Sequence, residues 1–476
     1  MSRSREKKIR TASSASCGLR RNKPVFRRTA LASSLSMLFG SVAFAQNVID
    51  NDPFGVTPFG PAAGVGNTMT GPYAGRFLSG NDNVVTGFDA GQSLSGYSNV
   101  AAGTTAGATL SGDRNVVTGR KAGQRLSGDD NVATGSYAGL GLTGSDNTAT
   151  GNRAGAYLTG DRNVVSGERA AFRLSGNDNV ATGYLAGSAL MGSDNVAIGD
   201  VAGSSLSGDS NVAIGYGAGE TLTGSYNVVT GYKAGESLSG DHNVAIGNDA
   251  GQRLTGSNNV VSGWDAGEEL SGSYNVAVGY EAGRSLTGSY NVVTGYSAGE
   301  SLSGDDNIVS GSYAGYSLSG SNNLVTGGYA GGELSGFHNI VSGYSAGYSL
   351  SGSYNVVSGY YAGYSLSGSN NLVTGGYAGG ELSGFHNIVS GYSAGYSLSG
   401  SDNLVSGYYA GYSLTGDDNI VSGENAGESL SGDDNIVSGY RAGRQLSGSN
   451  NISLGEESSE SLTGSRNIAI GDRALQ

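Results

Sequence analysis

The sequence predicts an all-β chain, a parallel β-solenoid of about 25 stacked 16-residue coils, and three observations predict it. Asn stands at position 67 and at every sixteenth residue after it to Asn467, 26 times without exception. Gly follows four residues later in each unit, from Gly71 to Gly471, and Leu follows eleven residues later in each complete unit, from Leu78 to Leu462. The run from Asn to the Thr before the first Gly consists of strand-compatible residues, bounded by Gly.

A strict internal repeat decides the architecture before local propensity does. The consensus, numbered here from the Asn as position 1, is Asn-Val-Val-Thr-Gly-Tyr-x-Ala-Gly-x-x-Leu-Ser-Gly-x-x. Sixteen residues are too few for a helical hairpin, and Gly at fixed points every few residues breaks helices. One coil per repeat at a spacing of about 4.8 Å gives a stack of about 120 Å. Stacking places like residues above like. The Asn column, for example Asn195, Asn211 and Asn227, is then a ladder of hydrogen-bonded amides, and the Leu column, for example Leu206, Leu222 and Leu238, is a continuous core. A flexible Gly/Ser linker gives no reason for an unbroken Leu column.

The strand itself carries two apolar columns. Position 2 is Val, Ile or Leu except at Thr68 and Thr148, and position 3 is apolar in 25 of 26 units, the exception being Ser453. Alternation sends one of these into the coil and leaves the other outside. The expectation is that position 3, with Val309, Val325, Val341 and Val357, forms an outer stripe that a second chain covers, while Leu254 and its column fill the coil. The alternative is that small side chains on a flat face are tolerated by a monomer.

The first 28 residues differ in kind from the rest. They hold ten of the 26 basic residues and one of the 39 acidic ones, so the remainder carries a formal charge of −22. The apolar run Thr29–Ala45 ends Val42-Ala43-Phe44-Ala45, which reads as a signal peptide with a long basic extension over residues 1–45. Arg27-Arg28 also permits twin-arginine export. Residues 46–63 are expected to be a linker or cap, and 64–476 the solenoid. The expected location is therefore the cell surface, associated with the outer membrane, or the medium, with no transmembrane segment in the mature chain. So acidic a chain repels nucleic acid and anionic lipid. The sole cysteine, Cys17, lies in the leader, so no disulfide is expected after export.

Units such as Asp194-Asn195-Val196-Ala197-Ile198-Gly199 and Asn243-Val244-Ala245-Ile246-Gly247 resemble the Ser-Val-Ala-Ile-Gly repeats of YadA-like trimeric autotransporter adhesin heads. The Ala of the next segment, as in Asp200-Val201-Ala202-Gly203, sits where that family also places one. The resemblance covers residues 64–476, although the repeat here is two residues longer. It implies a left-handed parallel β-roll, a homotrimer of side-by-side chains, and adhesion to a host or matrix protein or glycan. The repeats run to Gln476 with neither a heptad stalk nor a membrane anchor following. That leaves a truncated sequence, an anchor on another protein, or release.

Chemistry-bearing residues are spread rather than clustered. Acid pairs precede the Asn at Asp129-Asp130, Asp305-Asp306, Asp417-Asp418 and Asp433-Asp434. They read as solvated turns, with room for a weak cation site where the last two pairs fall on adjacent coils. His242, His338 and His386 occupy one column several coils apart and cannot share a metal within a chain. No catalytic triad, cofactor motif or metal site is read, and a non-enzymatic protein is expected. Tyrosine is the enriched candidate for binding: Tyr344, Tyr348, Tyr360, Tyr361, Tyr364, Tyr392, Tyr396, Tyr408, Tyr409 and Tyr412 recur at the variable positions. The alternative is that they only shield strand edges and stiffen the coils. Residues 323–370 and 371–418 differ at five positions, so a three-coil block has been copied nearly intact. The functional expectation is an adhesin-like surface rod, and the alternative is a structural fibre or biofilm-matrix component without a receptor.

Overall fold

The computed structural model describes residues 48–50 and 64–475, so the leader over residues 1–45 lies outside the described residues. The strand set is β1 (Val48–Asp50), β2 (Thr68–Thr70) and β3 (Val84–Thr86), then one three-residue strand every sixteen residues to β27 (Ile468–Ile470). Each strand pairs in parallel with the next, giving one continuous sheet. From β2 onward the register is one repeat, as in Val196↔Val212. β1 lies within the segment expected as linker or cap and meets β2 at Val48↔Thr68. A second line of parallel bridges runs through position 13, from Ser79↔Ser95 to Ser447↔Thr463. The described residues contain no helix, and none long and apolar enough to cross a membrane.

The corners are bonded between coils as fully as the strands. Around one coil, Gly199 N donates to Thr182 O at 2.8 Å, Val201 N to Tyr184 O at 2.8 Å, Gly203 N to Ala218 O at 2.9 Å and Gly208 N to Met191 O at 2.9 Å. Backbone groups that would be orphans in isolated turns are thereby paired. The close stacking also explains which glycines are invariant. Gly199 and Gly208, at positions 5 and 14, have φ of 135° and 134°, and a Cβ on either would overlap the carbonyl oxygen of the equivalent glycine in the next coil. At position 9 the φ is near that of an ordinary left-handed residue, and Ala171 (φ 50°) and Ser459 (φ 56°) are accepted there. Positions 7 and 16 are left-handed too, yet carry side chains such as Val201 (φ 52°) and His242 (φ 59°).

The core has three columns: Val or Ala at position 3, Ala at position 8 and Leu at position 12. Val309, Ala314 and Leu318 are all 0 % exposed. Position 1 is also inside: the Asn side chains are buried from Asn67 to Asn451, and Asn467 in the last coil is half-buried. Asn259 shows the pattern. Its Nδ2 donates to Asn243 Oδ1 at 3.1 Å and to the Gly272 carbonyl at 2.8 Å, and its Oδ1 accepts from Asn275 N at 2.9 Å and Asn275 Nδ2 at 3.1 Å. The amide ladder and the Leu core expected at Asn195, Asn211, Asn227, Leu206, Leu222 and Leu238 are present, each 0 % exposed.

The orientation of the strand corrects one expectation. Val309, Val325, Val341 and Val357 lie in the coil's own core, not on an outer stripe. Position 2 is outside instead: Ile308, Leu324 and Ile340 are 49 %, 38 % and 46 % exposed. The cause is the inward Asn. With position 1 turned in, a period of two puts position 3 inside and positions 2 and 4 outside.

The coil beginning at Asn451 departs from the consensus at both position 3 and position 8, with Ser453 and Ser458. The two hydroxyls meet at 2.7 Å inside the core, and Ser453 Oγ also reaches the Ser458 carbonyl at 2.8 Å. Each polar exception satisfies the other.

The corrected orientation yields a test. Val309→Asp should cost several kcal/mol, because it buries an unpaired carboxylate. Ile308→Asp, one residue away, should change the stability of a single chain by about 1 kcal/mol or less. Thermal unfolding of the two variants distinguishes them, and equal loss would contradict the orientation.

Candidate binding face

Three outward positions, 6, 7 and 10, carry the tyrosines on this scaffold. Tyr344, Tyr360, Tyr392 and Tyr408 occupy position 6. Tyr361 and Tyr409 occupy position 7, and Tyr348, Tyr364, Tyr396 and Tyr412 occupy position 10. Coil stacking brings equivalent rings together: Tyr344 and Tyr360 are 5.7 Å apart at 16°, Tyr348 and Tyr364 5.5 Å at 9°, Tyr392 and Tyr408 5.5 Å at 14°, and Tyr396 and Tyr412 5.4 Å at 7°. Within a coil, Tyr360–Tyr361 and Tyr408–Tyr409 meet edge to face at 4.6 Å and 4.7 Å. All ten sequence-derived residues therefore share one face, five of them exposed and five half-buried, with Tyr360 and Tyr408 the most exposed at 51 %.

The face is larger than those ten. Trp264, Tyr280, Tyr296, Tyr313, Tyr329 and Tyr377 continue it, through contacts such as Tyr280–Tyr296 at 4.9 Å, Tyr313–Tyr329 at 5.0 Å and Tyr361–Tyr377 at 5.5 Å. The contact chain from Trp264 to Tyr412 is unbroken over ten consecutive coils. The missing signal was that the column moves from position 6 to position 7 where a coil has a small residue at position 6, Ser312, Gly328 or Gly376. Gly328 and Gly376 supply that room: a Cβ on either would stand 3.3 Å and 3.2 Å from the rings of Tyr344 and Tyr392.

Five phenols of the face are harder to ionise than usual. Burial among neighbouring rings, followed by the charge of other tyrosines, raises Tyr344, Tyr360 and Tyr408 above the ordinary phenol value. Burial and then Glu333 raise Tyr348, and burial and then Glu381 raise Tyr396. The Tyr396 hydroxyl donates to Glu381 Oε1 at 3.2 Å, and Ser397 Oγ donates to Glu381 Oε2 at 2.7 Å.

The acid pairs have separate structural duties that the sequence reading did not assign. At position 15 a side-chain oxygen accepts the backbone N–H of the same position one coil earlier: Ser401 N donates to Asp417 Oδ1 at 2.7 Å, Asp417 N to Asp433 Oδ1 at 3.0 Å, and Asp433 N to Ser449 Oγ at 3.0 Å. That accounts for the recurrence of Asp, Asn and Ser there. Position 16 is left-handed, where Asp, Asn and His are enriched among non-glycine residues, which accounts for Asp418, Asp434 and the three histidines. His242 and His338 stack on Tyr226 and Tyr354 at 4.9 Å, and His386 lies 3.4 Å from Asp402. Burial, then Asp402 and Asp434, raises the Asp418 carboxyl above its ordinary value. Among the described residues no group of three or more His, Cys, Asp or Glu is placed to hold a metal ion.

Comparison with protein-family models and with characterised proteins finds no match. The likeness to adhesin head repeats accordingly rests on the short repeat motif and on the parallel solenoid.

The raised phenols give a pH dependence of definite sign. A phenol harder to ionise folded than unfolded leaves stability intact below its unfolded value, near 10, and removes it as pH rises beyond that. Thermal unfolding should therefore be level through neutral pH and fall on the alkaline side, and Tyr344→Phe, Tyr360→Phe and Tyr408→Phe together should shallow that fall. A slope unaltered by the three substitutions would contradict the assignment.

Proposed function

We propose that the chain is an exported, adhesin-like rod that attaches a cell or its surroundings to host, matrix or neighbouring cells through its tyrosine face, without catalysing a reaction. The observation that carries this reading is the aromatic face running unbroken over ten coils. Tyrosine offers wide amphipathic contact at low entropic cost, and exposed aromatic area of this extent is the usual material of recognition surfaces. The basic leader with its apolar run and Ala-x-Ala end supports export.

Side-by-side association into a homotrimer belongs to the same proposal. Its support is now the position 2 column, where Ile308, Leu324, Ile340, Val356 and Leu372 are each at least 37 % exposed on adjacent coils. Covering such a column gains about 25 cal/mol for each Å² of apolar surface removed from water. The same column favours a second reading, a structural or biofilm-matrix fibre without a receptor, since lateral packing alone builds a fibre.

Two measurements separate these. Tyr360→Ser, Tyr361→Ser and Tyr364→Ser together should weaken saturable binding to matrix or cells about tenfold or more while leaving the fold unchanged. Absence of any saturable partner for the unaltered protein would favour the fibre. Glu at positions 308, 324, 340 and 356 should reduce the mass seen by light scattering to that of one chain, and a monomeric mass for the unaltered protein would remove the trimer.

A further inference from the structure

The acidity of the rod conceals a basic cluster. Sixteen Lys and Arg residues lie beyond the leader. Among the described residues half of them meet a carboxylate, as Arg114 meets Asp130 at 2.6 Å and Arg284 meets Glu268 at 2.9 Å. Six of the eight that do not are Arg120, Lys121, Arg125, Arg153, Arg169 and Arg173. These six gather at the outward positions 6, 7, 10 and 11 of four consecutive coils, within about 14 Å along the stack. Glu168 is the one acid at those outward positions. The aspartates nearby stand at positions 15 and 16 instead. There Asp129 and Asp161 accept backbone amides, and Asp130 and Asp178 hold Arg114 and Arg162.

Aromatic rings hold these like charges together. Arg120 and Lys121 lie 4.9 Å and 5.2 Å from the centre of the Tyr137 ring, and Arg153, from the coil on its other side, lies 5.7 Å away. Arg173 lies 5.2 Å from the Phe172 ring, which meets Tyr157 edge to face at 5.8 Å. A ring face attracts a cation without neutralising it, so the charge of the cluster stays available to an anion. Arg153 and Arg169, at position 7 of adjacent coils, open with Phe172 and Leu185 onto a recess of about 320 Å³.

We propose that the cluster binds an acidic polysaccharide, with one of its sulfate or carboxylate groups seated in the recess beside Arg153 and Arg169. Five of the six cations are Arg, whose planar fork meets an oxyanion with two parallel hydrogen bonds. Phe172 and Leu185 give the recess an apolar flank for the C–H face of the sugar that carries the anion. Other polyanions fit less well. Single-stranded nucleic acid stacks its bases on open ring faces, and those of Tyr137 and Phe172 are taken by cations. A duplex or a bilayer reaches beyond these four coils, to coils where Glu220, Asp249 and Asp265 stand at outward positions and repel it. A second copy of this chain offers few free carboxylates, since Glu236, Glu268, Glu269 and Glu281 already hold Lys233, Arg253 and Arg284. A polysaccharide chain is thin enough to cross the rod at the cluster alone. The cluster ends six coils before Trp264, where the tyrosine face starts, so it is a second site and does not depend on that face.

The test compares two double variants of equal charge change in the full chain. Arg153→Gln with Arg169→Gln removes two unpaired cations of the cluster, and Arg253→Gln with Arg284→Gln removes two paired ones elsewhere. All three proteins are titrated calorimetrically with heparin, chondroitin sulfate, polygalacturonate, neutral dextran, a thymidine oligonucleotide and phosphatidylglycerol vesicles. Circular dichroism and melting temperature report that the variants are folded. Saturable binding of at least one acidic polysaccharide, and not of dextran, supports the site when the Arg153 and Arg169 variant loses about tenfold or more and the other variant keeps its affinity. No binding, or equal loss in the two variants, overturns it, because net charge and not the cluster then governs. Oligonucleotide or vesicles bound as tightly as every polysaccharide overturns the ligand class. A mass by light scattering that falls only in the Arg153 and Arg169 variant, without polysaccharide binding, assigns the cluster to a second copy of the chain and also overturns it.

Discussion

The buried asparagine ladder is the constraint on which the rest of this structure depends. Each Asn oxygen accepts from the backbone and side chain of the next coil, while each Asn amide reaches back to the previous coil, and in most coils also crosses its own coil to the Gly carbonyl at position 14. A shorter or apolar residue leaves buried backbone groups without partners, and a charged one lacks either the donor or the acceptor half. The ladder repeats at the spacing of the backbone bonds that join the coils. The spacing in turn brings backbones so close at positions 5 and 14 that a Cβ does not fit.

Much of this was legible in the residues. A period of sixteen, β-forming residues between Asn and Gly, and unbroken Asn and Leu columns lead to stacked coils, because only parallel stacking gives every repeat the same environment. The face of the strand was not legible from hydrophobicity, since positions 2 and 3 are both apolar. The polar residue held the answer: Asn259 is buried, so Val261 is buried and Val260 is outside. Size was a second signal. Position 3 holds mainly Val and Ala while Ile and Leu gather at position 2, which fits a core too narrow for larger side chains.

The acid pairs and histidines illustrate the opposite case, in which residue types suggest chemistry and backbone geometry explains them. Asp417 accepts an amide from the coil before it, and Asp418 occupies a left-handed corner. What remains free to vary is the outward part of each coil, at positions 6, 7, 10 and 11. Sequence reasoning located ten tyrosines there as stacked ladders but not the full length of the face, because its continuity comes from rings that alternate between columns, as Tyr329, Tyr344 and Tyr361 do. A scaffold fixed by hydrogen bonds and glycine leaves these positions to carry recognition at little cost to folding.

The central claim is tested most directly at a single rung in the middle of the stack. Asn259→Ala strands the Asn275 N–H and the Gly272 carbonyl, at about 1–3 kcal/mol for each buried group. Native-state hydrogen exchange of the full chain should then show protection lost in the coils on either side of residue 259 and kept in distant coils. Unchanged protection around residue 259, with an unchanged melting temperature, would contradict the account.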